Sequence, residues 1–147
     1  MTLDPEPIFN QAWVAVANGP LSAPVLGRVV GMLAARADCP IDRLDDALLV
    51  ADAVAAKAAT FSDDGRIEAQ IVARLGSVEL QIGPLRAGGA NGLIESAALP
   101  AVGNVLERVA DELEPQEGAD GSEYLLIRLD FDAQRPPTID RMESDVT

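Results

Sequence analysis

Few side chains in this sequence can carry chemistry. There is no histidine, which removes Ser-His and Cys-His nucleophilic catalysis, histidine phosphotransfer and histidine metal ligation together. Cys39 is the one cysteine, so an internal disulfide is excluded and a zinc site lacks its ligands. Carboxylates and glycines remain. Asp52 stands in an alanine-rich run, Leu49-Val50-Ala51-Asp52-Ala53-Val54-Ala55-Ala56-Lys57. Small neighbours let a ligand or another element come close to that carboxylate. Gly88, Gly89 and Gly92 share the stretch RAGGANG over residues 86–92, which reads as a Gly-rich loop. Each feature also has a plainer reading. Asp52 can be a polar residue on a partly exposed helix face, and the loop can be a flexible connection. The loop follows no strand directly and matches neither the P-loop nor the dinucleotide spacing.

The element that must position Asp52 is IDRLDDALLVADAVAAKAATF, Ile41 to Phe61. It reads as one amphipathic helix of about five turns. Ile41, Leu44, Leu48, Ala51, Ala55 and Ala58 form its apolar stripe. Asp42, Asp45 and Asp46 place acid in its first turns, where the helix dipole favours it. A solvent-accessible ligand cleft is expected above this helix.

Before it, Ala12–Ala17 is a strand candidate carrying the only Trp, Trp13, as core packing or a strand-face anchor. Asn18-Gly19-Pro20 turns the chain. Ser22 is expected to cap a helix over Ala23–Ala37. Val25, Val29, Val30 and Leu33 form its stripe, broadened by Leu26 and Met32, with Arg28, Arg36 and Asp38 facing water. Cys39 is a small hydrophobe at that helix's end, since Pro40 disfavours helical geometry before it.

After it, Ser62-Asp63-Asp64-Gly65 is a turn. Arg66–Leu75 and Val78–Ile82 alternate as two strands, the second closed by Gly83-Pro84. Ile94–Ala98 reads as a short helix and Pro100 to about Leu113 as a longer one. Glu114–Gly118 and Glu123–Phe131 complete the strands. Residues 1–10 read as a loose arm, 11–132 as one domain and 133–147 as a flexible acidic tail. The order β-α-α-β-β-α-β-β predicts an α+β fold: a two-layer sandwich, its mixed, mainly antiparallel sheet covered by helices on one face.

The chain of 147 residues is 48% hydrophobic and only 3% aromatic, so one domain with an aliphatic core is expected. Net charge is −13 with no Lys/Arg cluster, which argues against nucleic acid and suits either a solvated acidic surface or a basic partner. MTLDPEPIFN lacks the pattern of a signal peptide, and no stretch reaches the ~18 apolar residues of a membrane span. A cytoplasmic place is expected.

In element order, and in Leu49–Val54 and Val109-Ala110-Asp111-Glu112-Leu113, most of residues 11–132 resembles the GHKL (histidine-kinase-like, Bergerat-fold) ATPase superfamily, within it the small anti-sigma factors that are serine/threonine kinases. The resemblance implies a helix carrying Glu, which positions the reacting hydroxyl or water, and four residues later Asn, which binds magnesium. It implies an Asp-x-Gly for adenine and a Gly-Leu-Gly-Leu run for phosphate. Here Asp52 matches the first position. Ala56 matches the second and offers no oxygen to a hard cation. Gly83-Pro84-Leu85 matches Asp-x-Gly without its carboxylate, Ala101-Val102-Gly103-Asn104 the later run, and Gly88, Gly89 and Gly92 the ATP lid.

The resemblance, with these departures, implies a degenerate ATP site. It points to an anti-sigma-factor-like regulator that keeps the fold and acts by binding a protein, such as a sigma factor or an anti-anti-sigma-like antagonist. No cofactor is needed, and ATP and magnesium enter only if the altered site works. The alternative is an active serine/threonine kinase in which Asp52 positions the substrate hydroxyl. A third reading is a ligand sensor or structural dimer, with Trp13, by analogy, in a homodimer interface at the sheet side near the first strand.

Overall fold

The computed structural model of the protein describes residues 8–62, 64–99, 101 and 103–131. In chain order the elements are β1 (Ile8–Ala17), α1 (Ser22–Arg36), α2 (Ile41–Phe61), β2 (Arg66–Arg74), β3 (Ser77–Leu85), α3 (Gly89–Ser96), β4 (Ala98–Leu99), β5 (Gly103–Asn104), α4 (Val105–Val109), β6 (Glu112–Glu117) and β7 (Glu123–Asp130). The tail 133–147, most of the arm 1–10, Asp63, Pro100 and Val102 lie outside the described residues, and the last residues of the arm belong to β1.

Period-two alternation builds the sheet. Ile67, Ala69, Ile71 and Ala73 of β2, Val78, Leu80 and Ile82 of β3, and Leu125, Ile127 and Leu129 of β7 are all buried. The strands pair in the order β1-β2-β3-β7-β6, and among the described residues every pairing of this sheet, expected as mixed and mainly antiparallel, is antiparallel. A period-two strand has only two faces. Here one is apolar and the other carries Gln11, Trp13, Glu68, Gln70, Gln81 and Arg128, none of them buried. Helices pack on the apolar face alone, giving a two-layer α+β sandwich. Among the described residues no helix is long and apolar enough to cross a membrane.

Helix α2 holds the helical layer together. Ala47, Val50, Ala51, Ala53, Val54, Ala55 and Ala58 are its buried residues, and it contacts α1, α3, α4, β2 and β3. Five of those seven are alanines. An alanine occupies little of the inter-element gap, so several neighbours can approach one helix at once. From α1, Leu26, Val30, Leu33 and Ala34 complete the layer.

Several expectations are corrected. Ser22 does not cap α1. Its hydroxyl donates to Gly19 O at 2.9 Å, back into the turn. Of the two places expected for Trp13, the core is excluded and the strand face holds: the residue is 73% exposed, because Ala12, Val14 and Val16 take the inward positions of β1. Strand β3 runs through Gly83-Pro84 to Leu85, its register against β7 shifting there. The helix expected to span 100–113 is only Val105–Val109. Gly103 has φ +86°, and the Asn104 side chain accepts from Glu107 N–H at 3.1 Å, which fixes the helix start. Ala110 then turns to extended geometry, and the chain enters β6. Cys39 is half-buried beyond α1, and burial pushes its thiol up to about 11, so it behaves as an inert hydrophobe.

One polar cluster ties the two ends of the chain's order together. Arg43, near the start of α2, donates to Asp46 at 2.9 Å, to Asp111 at 2.6 Å, to Val109 O at 3.3 Å and to Asp130 O at 3.2 Å. The same Asp111 oxygen accepts from Asp130 N–H at 2.7 Å. Asp111, in the Ala110-Asp111-Glu112 run, therefore joins α2, the segment after α4, and the end of β7. Replacing it with alanine strips acceptors from Arg43 and from the Asp130 amide. An Asp111→Ala protein is expected to lose about 1–3 kcal/mol of stability, read as a lower urea midpoint with unchanged slope.

Candidate functional site

Asp52 emerges on the outer side of α2. It is exposed, and it lines a groove of about 600 Å³ between α1 and α2 with Gly27, Gly31, Leu44 and Leu48. Ala56, one turn on, is also exposed, and Lys57 beside it is half-buried. Asp52 thus offers a side-chain oxygen on this face, and Ala56 offers none. Among the described residues no group of three or more His, Cys, Asp or Glu side chains is placed to hold a metal. Magnesium demands near-octahedral oxygen ligation. One carboxylate without an oxygen ligand one turn later is a poor fit to it.

The glycine positions lie elsewhere. Gly88 sits at φ +78° and forms the N-cap of α3. Its N–H donates to Glu123 Oε2 at 2.9 Å, and Ala90 N–H donates to Glu123 Oε1 at 3.1 Å. Unpaired amides at a helix start form an anion receptor. Here the chain's own carboxylate, from the first residue of β7, occupies it. Those two N–H groups, Gly88 first, hold the Glu123 carboxyl below its ordinary 4.5.

Gly89 and Gly92 serve packing. A Cβ on Gly92 would stand 2.5 Å from Phe61 Cε1, and one on Gly89 would stand 2.9 Å from Leu85 Cβ and 3.3 Å from Phe61 Cβ. The Phe61 ring, at the last residue of α2, fills the space beside these two glycines. Arg86 fastens the same joint: its guanidinium lies 5.8 Å from the Phe61 ring centre and donates to Thr60 O at 2.8 Å. Its amide donates to Phe61 O at 2.7 Å.

Gly83 faces another way again. It lies in a small hollow of the open sheet face with Trp13, Gln70 and Gln81, and a Cβ there would stand 2.6 Å from the Tyr124 ring. Gly103 belongs to β5, whose partner is β4. The structure therefore divides the sequence's candidates. Asp52 and Ala56 share the outer face of α2; Gly88, Gly89 and Gly92 share the joint between α2 and α3; Gly83 and Gly103 belong to neither.

Glu123 and Phe61 are the residues that sequence reasoning passed over. Phe61 could have been found, as a lone ring at a helix end facing a glycine pair. Glu123 had no local signal, since it meets Gly88 and Ala90 across more than thirty residues.

Two expectations follow for stability. A depressed folded pKa means that the Glu123 contribution is fully present above the unfolded value and is lost as pH falls through the folded one. Glu123→Gln is expected to melt lower than wild type at neutral pH. The gap between them should hold down to the ordinary value of 4.5 and shrink below it, in thermal melts across a pH series. Gly92→Ala gains about 1 kcal/mol of helix propensity but overpacks Phe61 at a cost of about 1–3 kcal/mol, so the net change is destabilising. Gly27→Ala, in α1 with nothing within 4 Å of its Cβ, keeps the propensity gain and should melt higher. Calorimetry on the two variants reads the opposite signs.

The sequence matches no known protein-family model, and a search of curated proteins returns no significant match.

Proposed function

We propose that this chain is an anti-sigma-factor-like regulatory protein of the GHKL type, acting in the cytoplasm by protein–protein binding, with ATP binding lost or weak. The observation that carries the reading is the Glu123 carboxylate seated on the Gly88 and Ala90 amides. A nucleotide phosphate entering that place must first displace an anion that is covalently part of the fold. The Phe61 ring under Gly89 and Gly92 adds a steric reason, and Ala56 removes an oxygen ligand from α2.

The element order supports the family side of the reading: a strand, two helices, a hairpin, a helix that starts in the glycine stretch, a short two-stranded pair, a further helix and a final hairpin. Asp111 in the Ala-Asp-Glu run supports it too, because its clasp with Arg43 is a structural use that survives the loss of chemistry. The partner class is a sigma factor or an antagonist resembling an anti-anti-sigma protein. A charge of −13 steers a basic partner surface toward the chain. A second copy could use the open sheet face, where Trp13 is exposed.

Isothermal titration with ATP and magnesium tests the nucleotide side directly. The expected result is no saturable heat, and binding at about micromolar Kd overturns the reading. Transfer of labelled γ-phosphate to a protein substrate, lost in Asp52→Asn, would establish a working kinase instead.

A further inference from the structure

The groove between α1 and α2 keeps open space of about 600 Å³ beside Asp52. Its floor is Gly27, Gly31, Leu44 and Leu48, and Met32, 57% exposed, stands on its α1 side. A Cβ on Gly27 would meet nothing within 4 Å, and one on Gly31 would meet only Leu48 at 3.5 Å. Two glycines one turn apart on α1 therefore leave a trough where side chains would normally fill the helix–helix seam. Its floor is apolar and its walls are two helices. That shape accepts a third helix laid along the seam.

The walls are charged, and unequally. On α2, Ile41, Asp45, Leu48 and Asp52 follow at helical spacing on one face. Asp45 and Asp52 are both exposed, seven residues or about 10 Å apart along the axis. Arg28 stands on the α1 wall. No ion pair among the described residues engages Arg28, Asp45 or Asp52. Other acids of α2 behave differently: Asp46 is spent on Arg43. The unpaired charges thus flank the apolar floor on both sides.

We propose that the α1–α2 groove is the docking site for an amphipathic helix of a protein partner. That helix carries apolar side chains at i, i+3, i+4 and i+7 for the floor. It carries Lys or Arg seven residues apart on one flank, which pair with Asp45 and Asp52, and an acidic residue on the other flank for Arg28. Asp52 is then a recognition residue. This rests on the protein-binding reading above but names the surface and the chemistry it takes.

The probe is a labelled amphipathic helical peptide of about 20 residues with Leu anchors at that spacing, Lys at two flank positions seven apart and Glu opposite. A control peptide has the two flanks exchanged. Fluorescence anisotropy on the full chain is expected to show the Lys-flanked peptide binding roughly tenfold tighter than its control. Asp52→Lys should reverse or abolish that preference. Gly27→Leu, which puts a side chain into the trough from a position whose Cβ meets nothing within 4 Å, should weaken both peptides by roughly tenfold or more.

Equal binding of the two peptides, binding untouched by Gly27→Leu, or no saturation at about 1 mM peptide overturns the proposal. Dimer formation by light scattering that Gly27→Leu abolishes gives the groove to a second copy and overturns it as well. A positive ATP titration with intact, Asp52-dependent peptide selectivity removes only the nucleotide-free reading and leaves the groove assignment standing.

Discussion

The fold depends on one constraint: a single apolar sheet face has to be covered, and α2 is the helix against which the rest of that cover is assembled. The helix touches α1 on one flank, α3 and α4 on the other, and the sheet beneath. It can do so because its buried positions are mostly alanine, so neighbours approach closely on three sides. The same constraint fixes what is left over. With Ala51, Val54, Ala55 and Ala58 turned inward, the strip through Asp45, Leu48, Asp52 and Ala56 is left on the outer side of the helix for solvent or a partner. Asp52 faces outward because the opposite side of its helix is packed against the core.

The end of α2 carries the second constraint. Phe61 terminates the helix, and its ring lies where α3 must dock. Only glycine at 89 and 92 allows α3 to seat there. The start of α3 is then brought to the first residue of β7, and Glu123 satisfies the amides of Gly88 and Ala90. Glycines that could have shaped a phosphate loop instead let a helix pack against a ring. The same small residue serves either purpose. What distinguishes them is whether the freed volume holds protein atoms, and here it does.

Much of this architecture was legible in the sequence, and the physics explains which parts. Helix α2 was readable to the residue because Pro40 and the turn after Phe61 bracket a run of strong helix formers. Strands β2 and β7 were readable from their alternation. The stretch after Pro100 was not. Val102, Val105, Leu106 and Val109 do recur at a helical period, but Gly103 takes a positive φ and Asn104 caps a helix of a single turn and a half. A capping residue inside an apolar period should outweigh the period. Trp13 was left open between the core and the strand face. The alternation of Ala12, Val14 and Val16 decides between them, because it requires Trp13 to point outward. For the site, that Ala56 offers no oxygen beside Asp52 was visible from residue types alone. The Glu123 seat was invisible, since it is a tertiary contact between segments with no local signature.

Filling the α3 cradle has a consequence for how such a protein can be controlled. A nucleotide-dependent binder changes its partner affinity when a phosphate enters or leaves a cradle, because the ligand supplies differential binding energy to one state. Where such amides are already held by a carboxylate belonging to the fold, as Glu123 holds Gly88 and Ala90, the reading proposed above removes that lever. Affinity must then be set by the surface itself: its shape, its unpaired charges and the competition among partners for it. The groove along α1 and α2, with Asp52 on one wall and Arg28 on the other, is the surface proposed for it. Those charges are solvent-exposed, so pairs formed with them would contribute on-rate and selectivity more than depth of binding. Tightness must come from the apolar floor, where the two glycines of α1 leave the volume for it.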